Sequence, residues 1–237
     1  LYTALAVSRD AKRQGKDLDV VLVEPTDTFV FLPLLYDLTV GTATEAEVCP
    51  SYADLLRGTG VRHLRASLES LSEDTSAELR PTKDNKKSNA EAPNTNTETD
   101  DDICTLLFSA GVVAVGASPA SILASVPGAS ALAQPFYTAP DAKKTRRLLN
   151  RLEEKMSSGT GADKDHPRIA VVGGGFGGVE MAASVQRRLS TQASVTLLTR
   201  GRPMAGTRAE PLVEQALKKL GVTVEECTVD ALEQGDD

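Results

Sequence analysis

The sequence is poor in the patterns that would indicate several common kinds of site. Its three cysteines, Cys49, Cys104 and Cys227, are far apart and form no CxxC pair, which argues against a disulfide framework and against a zinc or other metal site. No run of about 18 apolar residues occurs, so no membrane-spanning helix is predicted. Acidic residues outnumber basic ones by 33 to 26 and no basic cluster stands out, which argues against nucleic acid as a partner.

A starting methionine is also missing, because the first residue is Leu1. We therefore expect a piece of a longer protein, truncated at both ends. Its 237 residues are enough for one large or two small domains. No Ser/His/Asp arrangement is visible, and no catalytic residue is assigned from the sequence.

The last third of the chain alternates apolar runs with amphipathic stretches. These predict a βαβαβ unit, which is half of a doubly wound α/β fold. The predicted elements are a strand at 167–172, a glycine-rich turn, a helix at 176–190, a strand at 193–199, a helix at 209–220 and a strand at 222–229.

The glycine-rich turn matches the pattern G-x-G-x-x-G through Gly173, Gly175 and Gly178. Its context favours a dinucleotide site, because it follows an apolar strand, opens an amphipathic helix and is followed by a second buried strand. Gly173 would permit the tight turn, Gly175 would let backbone amides approach a pyrophosphate, and Gly178 would let the helix lie close to the strand. A glycine-rich turn without a ligand is the alternative.

The end of the second strand of this unit indicates which dinucleotide is used. NAD sites place an acid there, whereas this strand ends in Thr199 and Arg200, with Arg202 next. A guanidinium pairs with a 2′-phosphate, which favours NADPH or dual use over strict NADH. Arg200 as a solvated loop residue stays open. Glu180, in the first turn of the helix, either complements the helix dipole or contacts the cofactor.

The front of the chain reads like the same unit without its glycines. A helix at 1–14 is followed by a strand at 19–24 that ends at Glu24, the acid expected in a first dinucleotide-binding unit. Two such units in tandem are the arrangement of two-dinucleotide-binding flavoproteins. The remaining predictions are a loop with short helices at 29–56, an extended segment at 61–71, a disordered insertion at about 82–102, two strands within 104–119, a helix at 141–156 capped by Asp141, and a linker at 157–166.

Four segments carry a resemblance to a known family: FLPLLYDLTVG at 31–41, VVAVGA at 112–117, PFYTAPDA at 135–142 and AVVGGGFGGVEMAA at 170–183. The chain resembles the type II NAD(P)H:quinone dehydrogenases, or alternative NADH dehydrogenases, of the pyridine nucleotide-disulfide oxidoreductase superfamily. Within that family it is most similar to the plastid branch.

That resemblance implies an FAD enzyme that takes electrons from NADPH or NADH and passes them to a membrane quinone. It also implies a peripheral protein of a plastid membrane, with a mitochondrial membrane as the alternative, attached through a segment beyond Asp237; a homodimer is left open. The absence of a cysteine pair in 29–56 argues against a disulfide reductase. Another electron acceptor, or a non-catalytic nucleotide-binding protein, remains as an alternative.

The resemblance also implies roles for individual residues. Residues 1–140 would form the FAD-binding domain and 141–237 the NAD(P)H-binding domain. On the FAD side, Glu24 would hold the adenosine ribose, Pro33, Leu34 and Leu35 would lie near the isoalloxazine and quinone, Leu68 would contact adenine, and Ala114 and Gly116 would pass near the phosphates. On the NAD(P)H side the residues would be Gly173, Gly174, Gly175, Phe176, Gly177, Gly178, Glu180, Thr199 and Arg200.

Overall fold

The computed structural model describes residues 1–82, 103–116, 125–158 and 166–235. The helices of these ranges are α1 Tyr2–Arg13, α2 Leu35–Val40, α3 Glu45–Val48, α4 Tyr52–Leu55, α5 Ala129–Leu132, α6 Ala139–Ser158, α7 Phe176–Leu189 and α8 Glu210–Leu220. The strands are β1 Val20–Val23, β2 Val61–Leu64, β3 Ala66–Leu71, β4 Ser76–Pro81, β5 Cys104–Leu107, β6 Arg168–Val172, β7 Ser194–Thr199 and β8 Thr223–Glu226. Short 3₁₀ helices occupy Leu32–Leu34 and Ser190–Gln192.

The chain divides into two compact units. The first comprises Leu1–Phe29 and Cys49–Gly116, and the second comprises Val30–Val48 and Ala117–Asp237. This division differs from the predicted boundary after residue 140, because α2, α3 and residues 117–140 belong with the second unit.

The first unit contains two small sheets. In one, β1, which lies within the strand predicted at 19–24, pairs in parallel with β2 and is half-buried. In the other, β3, β4 and β5 are antiparallel neighbours, with an irregularity between Leu68 and Ser70. β4 and β5 pair as an antiparallel hairpin. The insertion predicted at about 82–102 lies, from residue 83 on, outside the described residues.

One predicted strand of the first unit is not formed. The VVAVGA run has no regular secondary structure over its described part, and Val112 and Val115 are 72% and 81% exposed. A strand needs a neighbour to satisfy its amides and carbonyls, and no strand of the described residues pairs with this run. The apolar composition of the run therefore predicted a strand, but the described part of the chain offers no neighbouring strand with which it could pair.

The second unit is built on the parallel sheet β6-β7-β8, in which sequential strands are neighbours. α7 and α8 make the two crossovers, so the βαβαβ prediction is confirmed. α7 buries one face because its apolar residues recur at helical spacing, and these pack on Val195 and Leu197 of β7. α8 has Pro211 in its first turn and ends at Gly221, whose φ of +86° suits the left-handed position that stops a helix.

Helices α2 and α6 complete this unit. Leu35 and Leu38 of α2 are buried, and α2 packs against both α6 and α7. The Arg188 guanidinium of α7 binds both carboxylate oxygens of Glu153, at 2.9 and 2.6 Å, and also donates to the Thr39 carbonyl of α2 at 3.3 Å. One arginine thus links three helices.

The start of α6 shows a reciprocal cap. Asp141 accepts hydrogen bonds from the Thr138 amide at 2.9 Å and hydroxyl at 2.7 Å, while the Thr138 hydroxyl lies 3.3 Å from the Asp141 amide. Asp141 is therefore the partner of the capping residue Thr138 rather than the cap itself. With Thr138 as the cap, α6 begins at Ala139, two residues before its predicted start.

Candidate functional site

The site is built from the turn that joins β6 to α7 in the second unit. Gly173 has a φ of +122°, which L-residues with a side chain avoid, and its amide donates to the Leu198 carbonyl of β7 at 2.8 Å. This bond continues the pairing of β6 with β7 into the turn. The chain then reverses sharply and enters α7 at Phe176.

Two of the glycines are required by close packing, one against backbone and one against a buried side chain. A β-carbon at Gly178 would collide with the carbonyl of Gly173, so only glycine allows α7 to lie this close to the turn. A β-carbon at Gly174 would collide with the hydroxyl of Thr199, at the end of β7. The turn therefore packs tightly on both neighbouring elements.

The other side of the turn is open. No atom lies within 4 Å of the β-carbon positions at Gly173 and Gly175. Gly175 begins α7 without any side chain capping the helix, so the amides of the first helical turn have no partner inside the helix. Unpaired amides, a positive helix end and an open approach together fit a diphosphate group.

The residues after β7 cover the turn. Thr199 is buried, and its hydroxyl donates to the Gly201 carbonyl at 2.9 Å. The Met204 amide donates to the Gly174 carbonyl at 2.6 Å, which fastens the loop to the turn. Arg200 is exposed and forms no ion pair with any described residue, whereas Arg202 pairs with Glu210 at 3.6 Å.

Tyr36 of α2 meets the first turn of α7. Its hydroxyl oxygen lies 3.3 Å from the β-carbon position at Gly177. Burial raises the pKa of Tyr36, and the charge and hydrogen-bond acceptance of the nearby Glu180 carboxylate raise it further. Tyr36 therefore stays protonated at neutral pH, as a donor facing Glu180. Sequence reasoning did not single out this residue, because its partners on α7 are distant in the chain.

The structure thus places Gly173 to Gly178 and Thr199 together, with Arg200 next to Thr199 and Glu180 one turn into α7. Phe176 is 62% exposed at the start of that helix. Pro33 and Leu34 lie in the 3₁₀ turn before α2, and Leu35 begins α2. Leu35 is buried, whereas Leu32, which begins the 3₁₀ turn, is 45% exposed.

The remaining predicted residues lie in the first unit. Glu24 follows β1, and its Oε1 accepts hydrogen bonds from the amide and hydroxyl of Thr26 at 3.1 and 2.9 Å. Its Oε2 accepts none from the described residues, so one carboxylate oxygen is available to a ligand hydroxyl. Burial and then the Glu24 charge raise the pKa of Tyr52 to about 12. Leu68 lies at the irregularity of β3, and Ala114 and Gly116 lie in the exposed segment after β5.

Other kinds of site find no support in the described ranges. No cluster of histidine, cysteine or acidic residues in them could hold a metal ion, and none of their helices is both long and apolar enough to cross a bilayer. Cys104 and Cys227 are exposed free thiols, and Cys49 is buried.

Curated relatives match almost the whole chain. It is 33% identical over 228 residues to the alternative NAD(P)H-ubiquinone oxidoreductase C1, chloroplastic/mitochondrial, of Arabidopsis thaliana, covering 93% of this chain and 40% of the relative. It is 30% identical over 236 residues to the demethylphylloquinone reductase NdbB of Synechocystis, covering 98% and 52%. The chain thus spans about half the length of the curated relatives it matches.

Solved structures share the fold. NDH2 of Plasmodium falciparum, solved in complex with NADH, matches with a TM-score of 0.66 and 21% identity, over 87% of this chain and 42% of that one. The sulfide:quinone oxidoreductase of Aquifex aeolicus matches with a TM-score of 0.68 and 17% identity, over 97% and 49%. The family model for pyridine nucleotide-disulphide oxidoreductases matches residues 3–237. By fold, by glycine turn and by this match over nearly its whole length, the chain belongs to the pyridine nucleotide-disulphide oxidoreductase family.

Proposed function

We propose that this protein is an FAD-dependent oxidoreductase that transfers electrons from NAD(P)H to a quinone. The observation that carries the proposal is the β6–α7 turn, where Gly174 and Gly178 are required by packing while Gly173 and Gly175 face open space. At Gly173 and Gly175 no protein atom fills the space beside the backbone, so that space is open to a ligand. An amide-lined turn of this kind at a helix start suits the diphosphate of a dinucleotide.

The electron donor is assigned to the second unit. The amides at the start of α7 would hold the diphosphate, and the residues at the end of β7 would face the adenosine ribose. Thr199 offers no carboxylate to a ribose hydroxyl, and its own hydroxyl is already bonded to Gly201. The exposed Arg200 guanidinium, which has no ion-pair partner among the described residues, is suited to a 2′-phosphate. We therefore assign NADPH as the preferred donor, with NADH as a poorer one.

FAD is assigned to residues of the first unit and to the turn before α2. Glu24 would hold ribose hydroxyls through its available Oε2, and Leu68, Ala114 and Gly116 would contact the adenine and phosphates through backbone. Pro33 and Leu34 would face the isoalloxazine and the acceptor, whereas Leu35, whose side chain is buried, would contribute through its backbone only. When bound, FAD supplies the redox chemistry, and the protein orients the donor against it. In this scheme residues 1–140 bind FAD and 141–237 bind NAD(P)H, with 30–48 packed on the latter.

The acceptor is inferred from the relatives. Both curated relatives have names that specify quinone substrates, ubiquinone and demethylphylloquinone. One of those names also specifies a chloroplastic and mitochondrial location, and we propose a plastid membrane as the site of action.

The test is steady-state oxidation of NADPH by the purified protein supplied with FAD, with a short-chain quinone as acceptor. We expect flavin to copurify or to bind on addition, and quinone-dependent NADPH consumption to follow. A flavin-bound protein that reduces ferredoxin or another acceptor but no quinone would refute the acceptor assignment. NADPH binding without any turnover would instead support the non-catalytic alternative.

A further inference from the structure

The last residue of β8 carries a carboxylate beside the glycine turn. Glu226 is exposed and forms no hydrogen bond or ion pair with any residue of the described ranges. The end of β7, where an acid is common in dinucleotide sites, has Thr199 instead. The structure therefore supplies on β8 the kind of group that β7 lacks.

The pairing of the two strands places Glu226 next to Thr199. These two residues are partners in the parallel register of β7 and β8, and the preceding residues of the same faces, Leu197 and Val224, are partners as well. Paired residues lie on the same face of a sheet, and neighbouring strands are about 4.8 Å apart. Leu197 and Val224 belong to the core that α7 covers. Glu226 therefore lies on the α7 face of the sheet, one strand away from Thr199.

The turn between β6 and α7 touches the same edge of the sheet. The Thr199 hydroxyl occupies the space that a β-carbon at Gly174 would need, so the end of β7 abuts the turn. The Cys227 amide donates to the Thr199 carbonyl at 2.8 Å, which holds β8 beside β7 just past Glu226. The turn, Thr199 and Glu226 thus follow one another along the carboxyl edge, in the strand order β6, β7, β8.

This order gives a bound dinucleotide a direction. In the proposed function, on which this inference rests, the diphosphate lies at the turn after β6 and the adenosine ribose at the end of β7. The base is attached to that ribose, and one further strand spacing in the same direction brings it to the end of β8. We propose that Glu226 selects the adenine base of the donor by accepting a hydrogen bond from its exocyclic amino group.

The chemistry of the two groups is complementary. The exocyclic amino group of adenine is a donor, and an ionised carboxylate is an acceptor only. Hypoxanthine has a carbonyl oxygen at the same position, so it would present a second acceptor to the carboxylate. A site built to bond one group rejects an analogue that lacks it. A glutamine amide, which both donates and accepts, would bind either base.

The neighbouring Glu225 offers a matched control. It is exposed like Glu226 and carries the same charge, but its partner in the register is Leu198, so it lies on the opposite face of the sheet. Glu225→Gln therefore removes an equal charge from the adjacent position without removing the acceptor assigned to the base.

The experiment is titration of the purified protein, followed by nucleotide fluorescence, with NADPH and with its analogue in which hypoxanthine replaces adenine. We expect the parent to bind NADPH at least about 10-fold more tightly than the analogue, because a hydrogen bond to a charged group is lost. Glu226→Gln should lose this preference, and Glu225→Gln should keep it. Circular dichroism of each variant shows that the fold is intact.

Four results would overturn the inference. Three are equal binding of both nucleotides by the parent, a preference retained in Glu226→Gln, and an equal loss of preference in the two variants. The fourth is a changed affinity ratio of NADPH over NADH in Glu226→Gln with an unchanged base preference, which would place the carboxylate at the ribose 2′ position. A parent that binds neither nucleotide would refute the donor site of the proposed function as well, whereas binding without base preference would refute only the role of Glu226.

Discussion

Substituting alanine at Gly178 and at Gly175 should separate the two roles of the glycine turn. At Gly178 the new methyl group would collide with the Gly173 carbonyl, which is backbone and cannot rotate away. Overpacking of this kind costs about 1–3 kcal/mol, and it exceeds the gain of at most about 1 kcal/mol from replacing a helical glycine. Subtracting that gain from the middle of the range leaves a net loss of about 1 kcal/mol, which would lower the melting temperature by about 2–4 °C in a chain of this size.

At Gly175 the same substitution should leave the fold intact. Its φ of −78° and ψ of −176° are open to alanine, and no atom lies within 4 Å of the added carbon. The methyl group would instead stand on the side assigned to the diphosphate. Losing one charge-assisted hydrogen bond costs about 1.5–3 kcal/mol, which weakens NADPH binding by roughly 10- to 150-fold.

Thermal unfolding followed by circular dichroism and NADPH titration followed by nucleotide fluorescence measure the two effects. Gly235→Ala is the control, because Gly235 lies outside the turn and no atom lies within 4 Å of its β-carbon position. Unchanged NADPH affinity in Gly175→Ala would refute the diphosphate site. An unchanged melting temperature in Gly178→Ala would refute the packing argument.

Three further substitutions test the electrostatics of the second unit. Arg188 lowers the pKa of Glu153 below its usual value of 4.5, so the pair stabilises the fold above that pH and loses its contribution as the pH falls through the lowered pKa. Arg188→Met should therefore make the free energy of unfolding in urea depend less on pH in the acid range. An unchanged pH dependence would contradict the assignment. Arg200→Glu should shift the kcat/KM ratio of NADPH over NADH at least about tenfold toward NADH, whereas an unchanged ratio would leave Arg200 a solvated loop residue. Glu180→Gln should let Tyr36 ionise at lower pH, because it removes one cause of the raised pKa; ultraviolet titration against Tyr36→Phe isolates this group, and an unshifted titration would show that the two do not interact.

The elements predicted most closely are those whose signal is contiguous. Helix α7 and strand β7 are each within one residue of their predicted bounds, because an apolar period and a glycine turn are local properties. The VVAVGA run had an equally good strand composition but is not a strand in its described part. A strand depends on a partner, and partners are not encoded in the run itself.

The placement of α2 could not be read from the chain for a related reason. Residues 31–41 were associated with FAD, and nothing in them indicates that Leu35 and Leu38 are buried within the second unit. The contact of Tyr36 with the turn at Gly177 is likewise a product of tertiary structure. Sequence patterns therefore predicted the glycine turn between β6 and α7 well, and only the folded chain revealed the helix packed beside it.

The membership of α2 in the second unit also affects how the chain folds while it is being translated. α2 is completed at Val40, but the helices that bury it, α6 and α7, extend to Ser158 and Leu189. At about 5–20 residues per second, the ribosome needs roughly 7–30 s to supply them. During that interval Leu35 and Leu38 have no core to enter. Chaperones that bind short apolar segments of nascent chains would find their target here, for a period set by the speed of the ribosome.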